Sequence, residues 1–195
     1  MKVFNVVDSL PSRGGGGMYV KNLSLNLKKK YPEIDIINVC SDKDFEGKKE
    51  DLLFITKGKN TFTFFLKTIL FGLRKEKFDV YDGHGFIPGI IVKILSILKR
   101  SKSVLHVHGF SEDKNKLKFL IKKIIVKLNY NSIICASEYE YEILSKIVNP
   151  NKIHLIKTGV EIGKKKEKIN KKRKILYVGR LEKVKGFDIF MEAIR

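Results

Sequence analysis

The chain has 195 residues, 43% of them apolar, and a formal net charge of +19 from 40 Lys and Arg against 21 Asp and Glu. That length and apolar share suit one domain with a sizeable core, or slightly more than one, and exclude a disordered polymer; the best apolar stretch, Phe86 to Leu98, is interrupted by Lys93 and is too short to span a bilayer. The positive excess points either to an anionic partner or surface, or to a composition bias toward lysine and isoleucine.

The N-terminal MKVFNVVDSL carries a strand, Lys2–Val7, with neither the apolar core nor the cleavage site of a signal peptide. Ser12 to Met18 follow, with glycine at 14 to 17, and then a helix over Gly17–Lys30. Strands Ile34–Cys40 and Leu52–Thr56 lead to helix Thr61–Lys75. Next come strand Phe78–Asp82, helix Pro88–Lys99, strand Val104–His108, helix Lys116–Leu128, strand Ser132–Ala136 and helix Glu138–Ile147. Strands His154–Lys157 and Lys174–Val178 precede a last helix from Gly186. Short apolar strands separated by helices predict an α/β fold, a Rossmann-like parallel sheet with helices on both faces. Ser137 with Glu140 is a capping box that starts the helix after Ser132–Ala136. Cys40 and Cys135, isolated in apolar runs, read as reduced core thiols of a cytoplasmic protein. Lys164 to Lys174, KKKEKINKKRK, has no apolar face and repels itself, as a solvated linker does. The predicted organisation is a domain over 1–160, a basic linker over 161–173, and the start of a second domain over 174–195.

Three places carry chemistry. The glycine run lets backbone N–H groups approach a ligand, or is a structural turn; it does not fit G-x-G-x-x-G, because Tyr19 takes the last place, so a dinucleotide is not indicated. His84, in Asp82-Gly83-His84-Gly85, and His106 and His108, in Leu105-His106-Val107-His108-Gly109, fall at or near strand ends. In the strand order 3-2-1-4-5, ligands bind beyond the carboxyl ends where the order reverses, between the first and fourth strands. His106 and His108 share one strand face, yet a metal needs a third ligand and no acidic cluster accompanies them, so no metal site is expected. His154 reads as structural. Finally, Gly179-Arg180 and Lys185-Gly186 set two cations where the last helix begins, a place that already favours anions such as a diphosphate.

Two helices combine lysines with apolar residues on both sides. In Lys116–Leu128 the spacing predicts Leu117, Leu120, Ile121, Ile124, Ile125 and Leu128 as the buried stripe, with Phe119 and Val126 outside among Lys122 and Lys123. In Thr61–Lys75 it predicts Phe62, Phe65, Leu66, Ile69 and Leu73 inside, with Phe64 and Phe71 outside. Exposed apolar groups framed by cations suit an anionic membrane surface; the alternative is a helix buried on two sides. No nucleic-acid-binding pattern is present, so nucleic acid is not an expected partner.

The motifs together resemble family 4 of the GT-B glycosyltransferases. VGRL-x3-KG before an amphipathic helix resembles the start of that family's second domain, GGMYVKNLSLNL its first loop, and LHVHGF the segment whose His lies beside the transferred sugar. The resemblance implies a retaining transfer of sugar from a nucleotide diphosphate donor to a lipid-linked or glycan acceptor. It implies that Arg180, Lys185, Gly16 and Gly17 face the donor diphosphate, that His108 is catalytic, and that Met18, Tyr19 and His84 lie on the acceptor side. It implies neither metal nor cofactor beyond the donor, and a cytoplasmic enzyme touching the inner membrane face peripherally. Lys157-Thr158-Gly159-Val160-Glu161 departs from the family's p-N-G-v-D at Thr158 and Glu161. The family's second domain supplies most donor contacts. The alternative reading is therefore a non-catalytic or split half-protein that binds acceptor or membrane and needs a separate chain carrying the rest of that domain.

Overall fold

The computed structural model describes residues 1–8, 15–41, 54–56, 60–110, 115–159, 175–179, 181 and 183–194. Contacts divide the chain into two units, Met1–Gly159 and Val160–Arg195. The linker and Arg180 lie outside the described residues, as do Ser12 to Gly14.

The first unit runs β1 (Lys2–Val7), α1 (Gly15–Lys30), β2 (Asp35–Cys40), β3 (Phe54–Thr56), α2 (Thr61–Arg74), β4 (Val80–His84), α3 (Phe86–Leu98), β5 (Lys102–Val107), α4 (Lys116–Val126), β6 (Ser132–Cys135), α5 (Glu138–Ser145) and β7 (Ile153–Leu155). All described pairings are parallel, in the order β3-β2-β1-β4-β5-β6-β7. The expected Rossmann-like sheet is thus observed, and its order reverses between β1 and β4.

Val3 to Val7 are buried on both sides, as a central parallel strand covered by helices on two faces requires. Neighbouring residues of β4 show the two coverings. His84 lies against Tyr19 of α1, with ring centroids 5.7 Å apart. A Cβ on Gly83, one residue earlier and so on the other face, would come within 2.8 Å of the Pro88 and Gly89 backbone of α3. Ladder pairing of β4 begins at Val3↔Val80, so β4 sits two residues later than the sequence predicts. Phe78 is a buried loop residue packed edge-to-face on Phe4, and His84 is the last residue inside its strand.

The two basic helices depart from their predicted phases, although Ile125 is buried and Phe65 and Ile69 pack against the core as expected. Phe64 and Val126, expected outside, are 2% and 1% exposed. Phe71 packs on Phe4 at 6.2 Å, and Phe119 packs on Phe110 at 5.8 Å. Lys122 and Lys123 set their ammonium groups over the rings of Phe86 and Phe119 rather than facing outward. Conversely Phe62, Leu66, Leu70 and Leu73 of α2 are exposed, as are Leu117, Leu120, Ile121 and Ile124 of α4. The cause on α2 is a stripe of modest size, Phe64, Thr68 and Gly72, that admits α3 closely: a Cβ on Gly72 would lie 2.6 Å from Leu95. On α4, seven of eleven residues are apolar, so periodicity does not choose a face; the aromatic contact of Phe119 with Phe110 does.

In the second unit, residues 175–178 form no ladder, because no described strand lies beside them. The strand expected over Lys174–Val178 is therefore not observed, and Leu176 and Val178 stay exposed. Tyr177 packs on Phe187 and Phe190, and its O–H donates to the Lys185 carbonyl at 3.1 Å. Gly186, at φ 67°, opens α6 (Phe187–Ala193).

The rotated phase has a direct test by urea denaturation. Val126→Ser is expected to cost about 2–3 kcal/mol, and Ile121→Ser less than about 0.5 kcal/mol.

Candidate functional site

Period-two alternation puts Asp82 and His84 of β4 on the α1 face of the sheet. Register pairs His84 with His106, so the two rings meet across adjacent strands, stacked with centroids 4.2 Å apart. His108 lies one residue past β5, on the same side. Its Nε2 is 3.5 Å from Nδ1 of His84. Tyr19 covers the group, with ring centroids 5.4 to 5.8 Å from the three imidazoles. His84 and His106 are buried, whereas His108 reaches the surface.

Asp82 Oδ2 lies 3.3 Å from His84 Nε2 and 3.2 Å from His106 Nε2. Burial alone would raise the Asp82 carboxyl; the two imidazoles outweigh it and hold the group well below the usual carboxylate range. Burial lowers the His84 imidazole, against the opposing pull of Asp82. His108 is lowered to about 4, by desolvation first and then by the neighbouring imidazoles. The result is an ionised carboxylate with neutral His84 and His108 at pH 7.

The loop that carries His108 is tied down from the next turn. Gly109, at φ 77°, turns the chain so that the N–H groups of Gly109 and Phe110 donate to Glu140 Oε1 at 2.7 and 2.9 Å. Oε2 of the same carboxylate accepts from the Ala136 N–H and the Ser137 hydroxyl, both at 3.1 Å. Ser137 Oγ in turn caps α5 by accepting from the Glu140 N–H. The predicted capping box therefore does more than start a helix, because one buried carboxylate joins the β5 and β6 ends.

The structure thus brings together Tyr19, His84 and His108 of the sequence-predicted residues. It adds His106, which the sequence placed on one strand face with His108 but gave no role, and Asp82 and Glu140, to which the sequence assigned no site role. Their signals were present: Asp82 is two residues before His84, and Glu140 closes the S-x-x-E spacing. Gly16 and Gly17 lie in the first turn of α1 rather than in a loop before it, and Met18 is exposed beside them. A cavity of about 10 Å³ reaches from Tyr19 and His108 to Thr158, one of the two residues that depart from the family pattern. Lys185 belongs to the second unit and is exposed on a 3-10 turn. A larger cavity of about 410 Å³ opens at the other end of the sheet, beside Tyr130 and Lys152.

The model of Glycosyltransferase Family 4 matches residues 13–164, most of the chain. The chain belongs to that family. A galactosyltransferase of Escherichia coli, described as UDP-Gal:alpha-D-GlcNAc-diphosphoundecaprenol alpha-1,3-galactosyltransferase, is 33% identical over 144 residues, covering 63% of this chain and 37% of its own. An uncharacterized 41.2 kDa protein in the cps region of Klebsiella pneumoniae is 28% identical over the whole chain and 60% of its own length. The chain therefore spans only part of these curated relatives. Among solved structures, sucrose-phosphate synthase of Thermosynechococcus elongatus aligns with a TM-score of 0.66 at 12% identity, over 82% of this chain and 48% of its own. HepE of Anabaena, in complex with UDP and glucose, aligns at 0.63 and 12% identity, over 83% and 45%. These likenesses establish for the family 4 chain the Rossmann-like half of the GT-B fold.

The depressed histidines predict how stability responds to acid. Folded His84 and His108 bind protons more weakly than the unfolded value of 6.5 allows, so their contribution is present above that value and lost as pH falls below it, for His108 as pH falls toward about 4. Asp82, depressed below 3.8, loses its contribution only at still lower pH. The urea midpoint is expected to fall between pH 6.5 and 4.5, with a smaller fall in His108→Gln.

Proposed function

We propose that this sequence forms the acceptor-side part of a retaining glycosyltransferase that moves a sugar from a UDP-type donor to a lipid-linked acceptor. The observation that carries the reading is the family match over 13–164 together with the histidine group at the β1/β4 reversal, where ligands of such sheets bind. The names of the E. coli galactosyltransferase and of the UDP-bound HepE structure support a uridine diphosphate sugar, and the former supports a diphosphate-linked lipid acceptor.

In this reading His108, neutral and surface-reaching, lies beside the transferred sugar, while Glu140 fixes its loop. Gly16 and Gly17 present the first-turn N–H groups of α1 to the donor diphosphate. Met18, Tyr19 and His84 border the acceptor. Arg180 and Lys185, carried over from the family's VGRL-x3-KG motif, supply positive charge to the departing diphosphate. The main catalytic demand is that charge, which preorganised cations and N–H groups stabilise as the sugar gains oxocarbenium character.

The assay is transfer of labelled sugar from UDP donors to a diphosphate-linked polyprenyl acceptor, with the chain alone and with the product of the adjoining reading frame. The expected product keeps the donor's anomeric configuration, and His108→Ala lowers turnover at least about a hundredfold. Absence of both transfer and donor hydrolysis in both settings rejects the enzyme reading.

Membrane contact is the second part of the proposal, on the face opposite to that read from the sequence. No described helix is long and apolar enough to cross a membrane. Leu66 and Leu70 of α2 and Leu120, Ile121 and Ile124 of α4 are exposed apolar groups, with Lys67, Arg74, Lys116, Lys118 and Lys127 exposed on the same helices or their ends. α3 packs against both helices, which places them on one side of the sheet. Apolar groups among cations match an anionic lipid surface in both hydrophobicity and charge. Changing Leu120, Ile121 and Ile124 together to Ser is expected to weaken flotation with anionic liposomes at least about tenfold. Unchanged flotation would reject this face.

A further inference from the structure

Lys93 is the one charged residue of α3, an otherwise apolar helix, and its half-buried ammonium needs an acceptor. It reaches the turn between α4 and β6, where Nζ donates to the Asn129 carbonyl at 2.7 Å. Lys152, in the 3-10 turn before β7, donates to Oδ1 of the same asparagine at 2.6 Å. Asn129 sits at φ 56°, in the left-handed region that asparagine tolerates, and closes the turn that follows α4. Two ammonium groups therefore meet on one residue. We propose that the cavity beside this turn, at the amino end of β6, binds an anionic amphiphile: a phosphate ester with a short apolar body.

Charge gives the first half of the reading. Lys152 lines the cavity together with Lys127, which is exposed at the end of α4. Among the described residues no carboxylate pairs with Lys93, Lys127 or Lys152. Part of this positive charge has a structural use, because cations favour the C-terminus of α4 with its unpaired carbonyls. One carbonyl and one amide oxygen do not neutralise two ammonium groups, however, and each ammonium has three protons to place. Burial pushes the Lys93 ammonium below its usual value, and the Lys152 charge pushes it the same way. An anion at the cavity mouth offsets that repulsion.

The walls give the second half. Val126, the Tyr130 ring and Ile133 close the floor, and half-buried Ile147 and Val148 form the side toward α5. At about 410 Å³ the cavity falls within the range of small-ligand sites. A bare inorganic anion leaves these apolar walls to water, and a neutral lipid leaves the ammonium groups unneutralised. A phosphate ester satisfies both, since lysine binds phosphate as a point charge and burial of an alkyl group adds free energy with its area. The cavity lies at the opposite end of the sheet from His108, so this inference does not rest on the glycosyl-transfer reading.

The probe is n-octyl phosphate, added below its micellar concentration to the 195-residue chain and followed by calorimetry and amide NMR. One equivalent is expected to bind and to shift the Asn129, Tyr130 and Lys152 amides. Inorganic phosphate is expected to shift the same amides but to bind at least about tenfold more weakly, because the apolar walls stay empty. Octyl glucoside, with the tail and no charge, is expected to leave them unshifted. Lys127→Glu, at an exposed position, and Lys152→Gln are each expected to weaken octyl phosphate at least about tenfold, with the circular dichroism of the parent chain. Changing Leu120, Ile121 and Ile124 together to Ser should leave this binding unchanged, which separates the cavity from the lipid-facing side of α4. Displacement of the probe by liposomes containing phosphatidic acid assigns the head group to a bilayer lipid, and lack of displacement assigns it to a free phosphate ester. The proposal is overturned if octyl phosphate leaves the Asn129 and Lys152 amides unshifted, or if neither lysine substitution weakens binding. It is equally overturned if octyl glucoside or inorganic phosphate binds as tightly as octyl phosphate.

Discussion

Asp82 is a carboxylate inside a parallel sheet, and the site depends on what keeps it ionised there. Burial of an unpaired carboxylate would drive it to take up a proton. The two imidazoles of adjacent strands, with Nε2 atoms 3.3 and 3.2 Å from Asp82 Oδ2, prevent that. Tyr19 closes the group from the helix side, so the polar cluster is shut away from solvent except at His108. The reversal of strand order between β1 and β4 makes the arrangement possible, because it sets the first turn of α1 beside the ends of β4 and β5.

A second carboxylate performs a comparable task in the backbone. Glu140 collects N–H groups from the β5 loop and from the end of β6. Buried N–H groups without partners would cost free energy, and a single side chain satisfies three of them. His108 is therefore exposed but its loop is anchored, which suits a residue that must meet a ligand in a defined orientation.

The helices show where pattern reading fails. On α2 the buried side includes Thr68 and Gly72, while larger leucines face out. A hydrophobicity count favours the leucines as the core side. The neighbouring helix favours whichever side lets it approach, and the small residues win. On α4 both sides are apolar enough to be core, and the aromatic pair Phe110–Phe119 selects one. What remains outside on both helices is an apolar surface among lysines, the property the sequence had suggested but attached to the wrong residues.

Element order, the parallel sheet, the family and the positions of His84 and His108 at strand ends were legible in the amino-acid order, because period, turn residues and short motifs are local properties. The sequence also contained Asp82, His106 and Glu140, but nothing local marked Asp82 as the partner of His106 or Glu140 as the anchor of the His108 loop. Only the tertiary structure decided that His84 and His106 stand in register and that Glu140 reaches two loops. Only it decided which face of each basic helix is buried. Apart from the Phe110–Phe119 pair, those outcomes depend on contacts between residues distant in the chain, such as His84 with His106, Gly72 with Leu95 and Gly109 with Glu140. Such contacts are chosen by steric fit and by the need to satisfy buried charge, and neither leaves a periodic trace in the chain.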